Sequence, residues 1–156
     1  MWFLILKTVH ILSAIVLLGT GLGTAFHLWI THLHGDPCAI ATAARNTVLA
    51  DWLFTATSGV AQPITGVALA VSAGYDLRSS WLVMAYALYA VAGICWLKVV
   101  LLQLRVARIA AACVAENKSL PPDYFQAMRV WFVLGLPAFL GLIAVVWLMV
   151  AKPALW

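Results

Sequence analysis

The chain has 156 residues, 65% of them apolar and 9% charged, with a net charge of +4 and a mean hydropathy of +1.04. A water-soluble domain carries about 25% charged residues, so this chain cannot cover itself with polar groups and belongs in lipid. Its nine basic residues are scattered, which excludes a nucleic-acid surface and leaves them as topology markers.

A transmembrane helix needs about 20 consecutive, mostly apolar residues. The first such stretch runs from about Thr8 to Ile30. It opens LKTVHILSA, which places Lys7 and His10 where an ordinary span would carry leucine. Its apolar run exceeds the ~7–15 residues of a signal peptide, so it is expected to be retained. At 100° per residue, Lys7, His10, Ser13, Leu17, Thr20, Gly21, Thr24 and His27 share one half of the helix surface. Ile11, Leu12, Ile15, Leu18, Leu22 and Phe26 occupy the other half and suit lipid. His10 is therefore expected to point into a bundle. His27 lies seventeen residues on, about 25 Å along the axis, so the two imidazoles cannot serve one metal. Gly19 and Gly23 form a GxxxG pair.

The HLHGDPC segment follows, with His32, His34, Asp36 and Cys38 within seven residues. These ligand types suit zinc or copper, but the spacing matches no established zinc motif, and the alternative is a polar loop. The second span, about Leu49 to Ala73, carries a polar row: Asp51, Thr55, Ser58, Gly59, Gln62, Thr65, Gly66 and Ser72. Gln62 falls near mid-membrane and precedes Pro63, which frees the carbonyl one turn back and kinks the helix. This combination either widens a pocket or makes a packing seam of small residues with one interhelical hydrogen bond.

The third span covers about Trp81 to Leu104. Lys98 interrupts it one to two turns from the level of Asp51, so the two either pair or each snorkel to the interface. The helical composition continues through RVARIAAACVAENK until Pro121 and Pro122. This predicts a helical hairpin over about 105–128, with Pro122 opening the next helix and Asp123 in its first turn. The fourth span, about Val130 to Ala151, has no ionisable residue, and its Gly135, Pro137 and Gly141 predict bending and close packing. The three cysteines are odd in number and form no CxxC, so disulfides are not expected.

The sum is an all-α, integral membrane four-helix bundle, a single domain over 1–156. Eight tryptophans fall as two groups of four at the span ends, Trp2, Trp81, Trp147 and Trp156 against Trp29, Trp52, Trp96 and Trp131, as interfacial belts would. The side holding both termini has Lys7, Arg78 and Lys152, while the other has Arg45, Lys98, Arg105, Arg108, Lys118 and Arg129. The positive-inside rule then places the six-residue side in the cytoplasm and both termini in the periplasm of a bacterial inner membrane. No Ser-His-Asp order, P-loop, HExxH or GxGxxG follows a suitable element, so hydrolase, ATPase and nicotinamide chemistries lack support.

LKTVHILSA, VLLGTGLGTAF, VLADWLFTA, QPITG, LPPDYFQAMRVWFVLGLPAF and WLMVAKP resemble the domain-of-unknown-function 2269 family, small bacterial integral membrane proteins. More distantly, Lys7 and His10 resemble the Lys-x-x-His of HemJ-type protoporphyrinogen IX oxidases, and the architecture resembles CopD-like membrane domains. The HemJ resemblance implies haem b with His10 as axial ligand, Lys7 paired to a propionate or an acidic porphyrin, and Ser13 and Gln62 in the surrounding site. It implies a membrane oxidoreductase, either a porphyrinogen oxidase or an electron carrier to quinone. No other helix carries a histidine for a second axial position, which leaves a five-coordinate haem, a non-histidine ligand, or His10 of a second subunit across a two-fold axis; the last makes a homodimer attractive. The alternatives are a non-enzymatic accessory or assembly subunit, and copper or small-solute transport. Four methionines without a cluster argue against soft copper ligation.

Overall fold

A computed structural model describes residues 1–156. The chain is all helix: α1 (Trp2–His34), α2 (Pro37–Ala50), a π-helical turn (Asp51–Thr55), α3 (Ala56–Ser72), α4 (Ser80–Glu116) and α5 (Pro122–Ala151). Four helical stretches are long and apolar enough to cross a membrane, with α2, the π turn and α3 forming one of them. Only 27 of the 156 residues are buried. The apolar surface left outside is far more than water would tolerate, and lipid is the solvent that accepts it.

Helix starts and stops follow local chemistry. Gly35 ends α1 in the left-handed region, with its N–H returned to His32 O. Asp36 then caps α2 by accepting from Cys38 N and Ala39 N, and Pro37 supplies the first helical φ. The stretch after α1 is consequently a two-residue turn, Gly35 and Asp36, followed at once by a helix rather than by a polar loop, and this helix starts at Pro37, twelve residues before the apolar span expected from about Leu49. The Asp-Pro pair was the legible signal. Asn117 closes α4 in the left-handed region, and Pro122 opens α5 with Asp123 in its first turn.

The helices pack as two antiparallel pairs, α1 with α3 and α4 with α5, joined firmly only at the end away from the termini. There α2 lies on α4, and one core draws on every helix but α3: Leu28 from α1, Ile40, Ala43 and Ala44 from α2, Val106 and Ala110 from α4, and Tyr124, Met128 and Trp131 from α5. We call this the clamp. At the terminal end a smaller cluster of Ala70, Trp81, Leu82, Ala85 and Leu148 closes the structure. The tail folds back on the α3–α4 loop, where Lys152 Nζ meets Tyr75 Oη at 2.5 Å and Leu155 N donates to Ser80 Oγ at 2.9 Å.

Between these two closures the pairs are tied by one contact of particular logic. Pro63 has no N–H for Gly59 O, its partner one turn back. The Tyr89 hydroxyl of α4 donates to that carbonyl instead, at 2.7 Å.

The expectation about the tryptophan belts is corrected, and of the two arrangements open to Lys98 the ion pair is absent. Trp81 and Trp131 are buried at 8% and 5% exposed, and the indole nitrogen of Trp96 is also buried. These rings face the interior, so only Trp2, Trp52, Trp147 and Trp156 are exposed as interfacial anchors would be. Lys98 is exposed and makes no ion pair with Asp51; the two salt bridges are Arg105–Asp123 and Lys118–Glu116.

Candidate functional site

The intramembrane polar residues sort into two places. The first is a seam where α1 meets α3. Thr65 Oγ1 stands 2.7 Å from His10 Nδ1 and 2.6 Å from Ala61 O. A carbonyl has no proton to give, so the hydroxyl donates to Ala61 O and accepts from His10 Nδ1–H. That assigns the tautomer: the neutral ring carries its lone pair on Nε2. Gly66 makes room for the ring, since a Cβ there would stand 3.2 Å from His10 Cε1. Gln62 Nε2 donates to His10 O at 2.8 Å and to Ser13 Oγ at 2.6 Å. Interhelical side-chain bonds in bilayers average about 0.6 kcal/mol, so these three links hold the seam by about 2 kcal/mol.

His10, Ser13 and Gln62 are thus brought together as the sequence indicates, but Gln62 cross-links two helices and does not widen a pocket. Lys7 is exposed one turn away, and no acid lies within ion-pair reach of it. His27 is exposed, and so are Gly19 and Gly23, which no other helix of the chain approaches within 4 Å of an added Cβ.

The residues of the HLHGDPC turn go separate ways. His32 Nδ1 meets Tyr124 Oη at 2.8 Å and the ring lies among Trp29, Tyr124 and Phe125. His34 Nδ1 returns to Ile30 O, Asp36 is spent on the cap, and Cys38 is exposed. Nowhere do three His, Cys, Asp or Glu side chains gather into a metal-binding group.

The second place is a cleft of about 800 Å³ between the two helix pairs, bounded below by the clamp. This is within the 300–1,000 Å³ range of small-molecule sites. The cleft does not reach His10. Small residues from each wall create the space, among them Gly21, Gly59, Gly93 and Gly135, and an added Cβ on Gly21, Gly93 or Gly135 would meet nothing within 4 Å. Its rim carries Leu22, Phe26, Val60, Leu97 and Leu136, all exposed. The cleft therefore opens sideways to where lipid lies.

Its wall also holds polar groups. Asp51 is 4% exposed and accepts from Thr55 Oγ1 at 2.9 Å. The π turn inserts an extra residue into the helix, and both side chains of this pair are buried. Trp96 and Gln103 of α4 approach the Asp51 carboxyl, yet Trp96 Nε1 and Gln103 Oε1 complete no hydrogen bond, and neither does Trp131 Nε1 of α5. These are the only buried side-chain polar atoms without partners, and all three residues line the cleft. Such atoms are rare because each costs about 1–3 kcal/mol. Sequence reading placed Asp51 on an inward row but missed Trp96, Gln103 and Trp131. Gln103 was the available signal, a lone amide two turns beyond Trp96 on the same face of α4.

A bundle of four helices able to cross a membrane, around a side-opening cleft, defines a polytopic membrane protein with an intramembrane cleft. The chain belongs to the DUF2269 family of predicted integral membrane proteins, whose model matches residues 4–153. No curated protein and no solved structure matches it.

Proposed function

We propose that the protein binds a small apolar or amphipathic molecule, taken from the bilayer through the open side of the cleft. The observation that carries this reading is the coincidence of the large cleft with every unpartnered buried polar side-chain atom in the chain. A purely structural bundle packs such a space shut or leaves it wholly apolar. The test is native mass spectrometry of the full chain released from lipid nanodiscs. Wild type is expected to retain a small molecule, and the double variant Gly93→Leu, Gly135→Leu to lose it. Gly23→Leu, outside the cleft, should retain it. Equal retention by all three proteins, or none by wild type, overturns the reading.

A second reading, haem b on His10, has one observation in its favour: Nδ1–H is held by Thr65, which leaves Nε2 the lone pair a haem iron takes. The fit within one chain is incomplete. The large cleft does not extend to His10, and no other histidine lies at its depth. A haem there would be five-coordinate, take a non-histidine ligand, or share the His10 of another copy, and bound haem would add redox chemistry at the terminal end of the seam. Purified protein from haem-replete cells should then show a Soret band that His10→Ala abolishes. A colourless dimer or monomer eliminates the reading and leaves the cleft untouched.

A further inference from the structure

The unpartnered atoms of the cleft constrain what it takes. We propose that the ligand is a neutral, flat, hydroxyl-bearing amphiphile of the phenol or quinol type, its hydroxyl placed among Asp51, Trp96, Gln103 and Trp131. This rests on the reading of the cleft as a binding site and names the chemistry of its occupant.

The argument is one of hydrogen-bond complementarity. Trp131 Nε1 is a donor that lacks an acceptor, and Gln103 Oε1 is an acceptor that lacks a donor; Trp96 Nε1, a second donor, lies near the Asp51 carboxyl without completing a hydrogen bond. An ammonium head could donate to Gln103 and Asp51 but would leave the Trp131 indole N–H facing a cation, with nothing to accept it. A carboxylate or phosphate head would satisfy the Trp131 indole but would leave Gln103 Oε1 unmatched and carry a net charge into a dry site. A hydroxyl does both, since its proton goes to Gln103 Oε1 and its lone pairs accept from an indole N–H. Asp51 has one oxygen engaged by Thr55 at 2.9 Å; its other oxygen can take a second hydroxyl.

The walls specify the body of the molecule. Gln103 and Asp51 are buried at 3% and 4% exposed, so the head sits in a dry environment, where an unmatched charge is costly. Aromatic rings from all sides, Trp52, Tyr89, Phe132 and Phe139 among them, line the space above. Flat faces and glycine gaps accept a ring better than a branched head. The exposed apolar rim lets a hydrocarbon tail remain in the bilayer while the ring enters. The polar atoms are shielded by the wall itself, so the proposed contact requires these side chains to turn toward the head group.

The test uses the full chain in nanodiscs and equilibrium dialysis with four probes: decylubiquinol, decylubiquinone, decyltrimethylammonium and decanoate. Decylubiquinol is expected to bind at least tenfold tighter than the cation or the anion. Decylubiquinone, which accepts but cannot donate, should bind more weakly than the quinol, and Gln103→Leu should erase that difference while Trp131→Phe weakens both. Thermal melts of the two variants should stay near that of wild type, which separates lost recognition from lost fold. If the cation or the anion matches the quinol, the head-group assignment is wrong while the binding reading stands. The assignment is equally overturned if Gln103→Leu and Trp131→Phe bind all probes as wild type does, because bound water would then be what satisfies the wall. If no probe binds and no native ligand is retained, both readings fall together.

Discussion

Tyr124→Ala is expected to destabilise the protein by about 3–5 kcal/mol. Tyr124 is fully buried, at 0% exposed, and is the largest side chain so placed. It lies in the clamp, where α1, α2, α4 and α5 meet, and its hydroxyl meets His32 of α1 at 2.8 Å. Truncation removes a ring that every element of the clamp surrounds and leaves a void that long, straight helices cannot collapse around. Tyr124→Phe keeps the ring and loses only the hydroxyl, with His32 Nδ1 left unpaired; its cost should be about 1 kcal/mol. Unfolding by SDS titration of the detergent-purified chain, followed by circular dichroism, measures both. An alanine variant within about 1 kcal/mol of wild type would show that the clamp does not hold the pairs together.

The second large effect comes from adding atoms. Ala43, Ala44 and Ala110 are each at or below 2% exposed, in the same core where α2 lies on α4. Small side chains are what allow helices this close. Ala44→Leu adds three carbons where there is no space, at a cost of about 1–3 kcal/mol. The local consequence matters more than the total. Helix α2 runs without a break into the π turn that carries Asp51 and Thr55, so pushing α2 off α4 moves one wall of the cleft against the other. The expected outcome is a lower melting temperature together with weaker retention of the cleft ligand, while Ala39→Leu, on the exposed side of α2, changes neither. Loss of stability with ligand retention intact would show that the clamp and the cleft are uncoupled.

The clamp also explains why the cleft can exist. Two helix pairs in lipid have no hydrophobic force drawing them together, since lipid solvates their surfaces as well as they solvate each other. They are held at the clamp by close packing, at the terminal cluster by Ala70 of α3 against residues of α4 and α5, and midway by Tyr89 on the carbonyl that Pro63 frees. Between those ties nothing requires closure, and glycines on the walls keep it open.

The residues of α1 and α3 were readable in advance because helical periodicity is a local property. The 100° step put His10, Ser13 and Leu17 on the inward side, and His10 and Ser13 do meet Gln62 and Thr65. Asp51, Thr55, Ser58 and Thr65 are all buried as one row. The same reasoning failed for Trp96 and Trp131. A tryptophan near a span end is compatible with a lipid interface and with a core, and only the packing of a neighbouring helix decides between them. For Lys98 and Asp51 the sequence left pairing and separate placement open, because similar depth does not fix azimuth; Lys98 is exposed and Asp51 lines the cleft.

By itself the amino-acid sequence determined the solvent, the number of crossings and the inward faces of α1 and α3, since all three follow from composition and from a period of 3.6 residues. What the tertiary structure alone decided is that α1 and α3 form one pair and α4 and α5 another, that a π turn carries a buried Asp51 into the wall between them, and that three distant polar side chains remain unpartnered beside one cleft. Those facts depend on which helices touch and at what rotation, and such contacts between residues far apart along the chain leave no periodic mark on it.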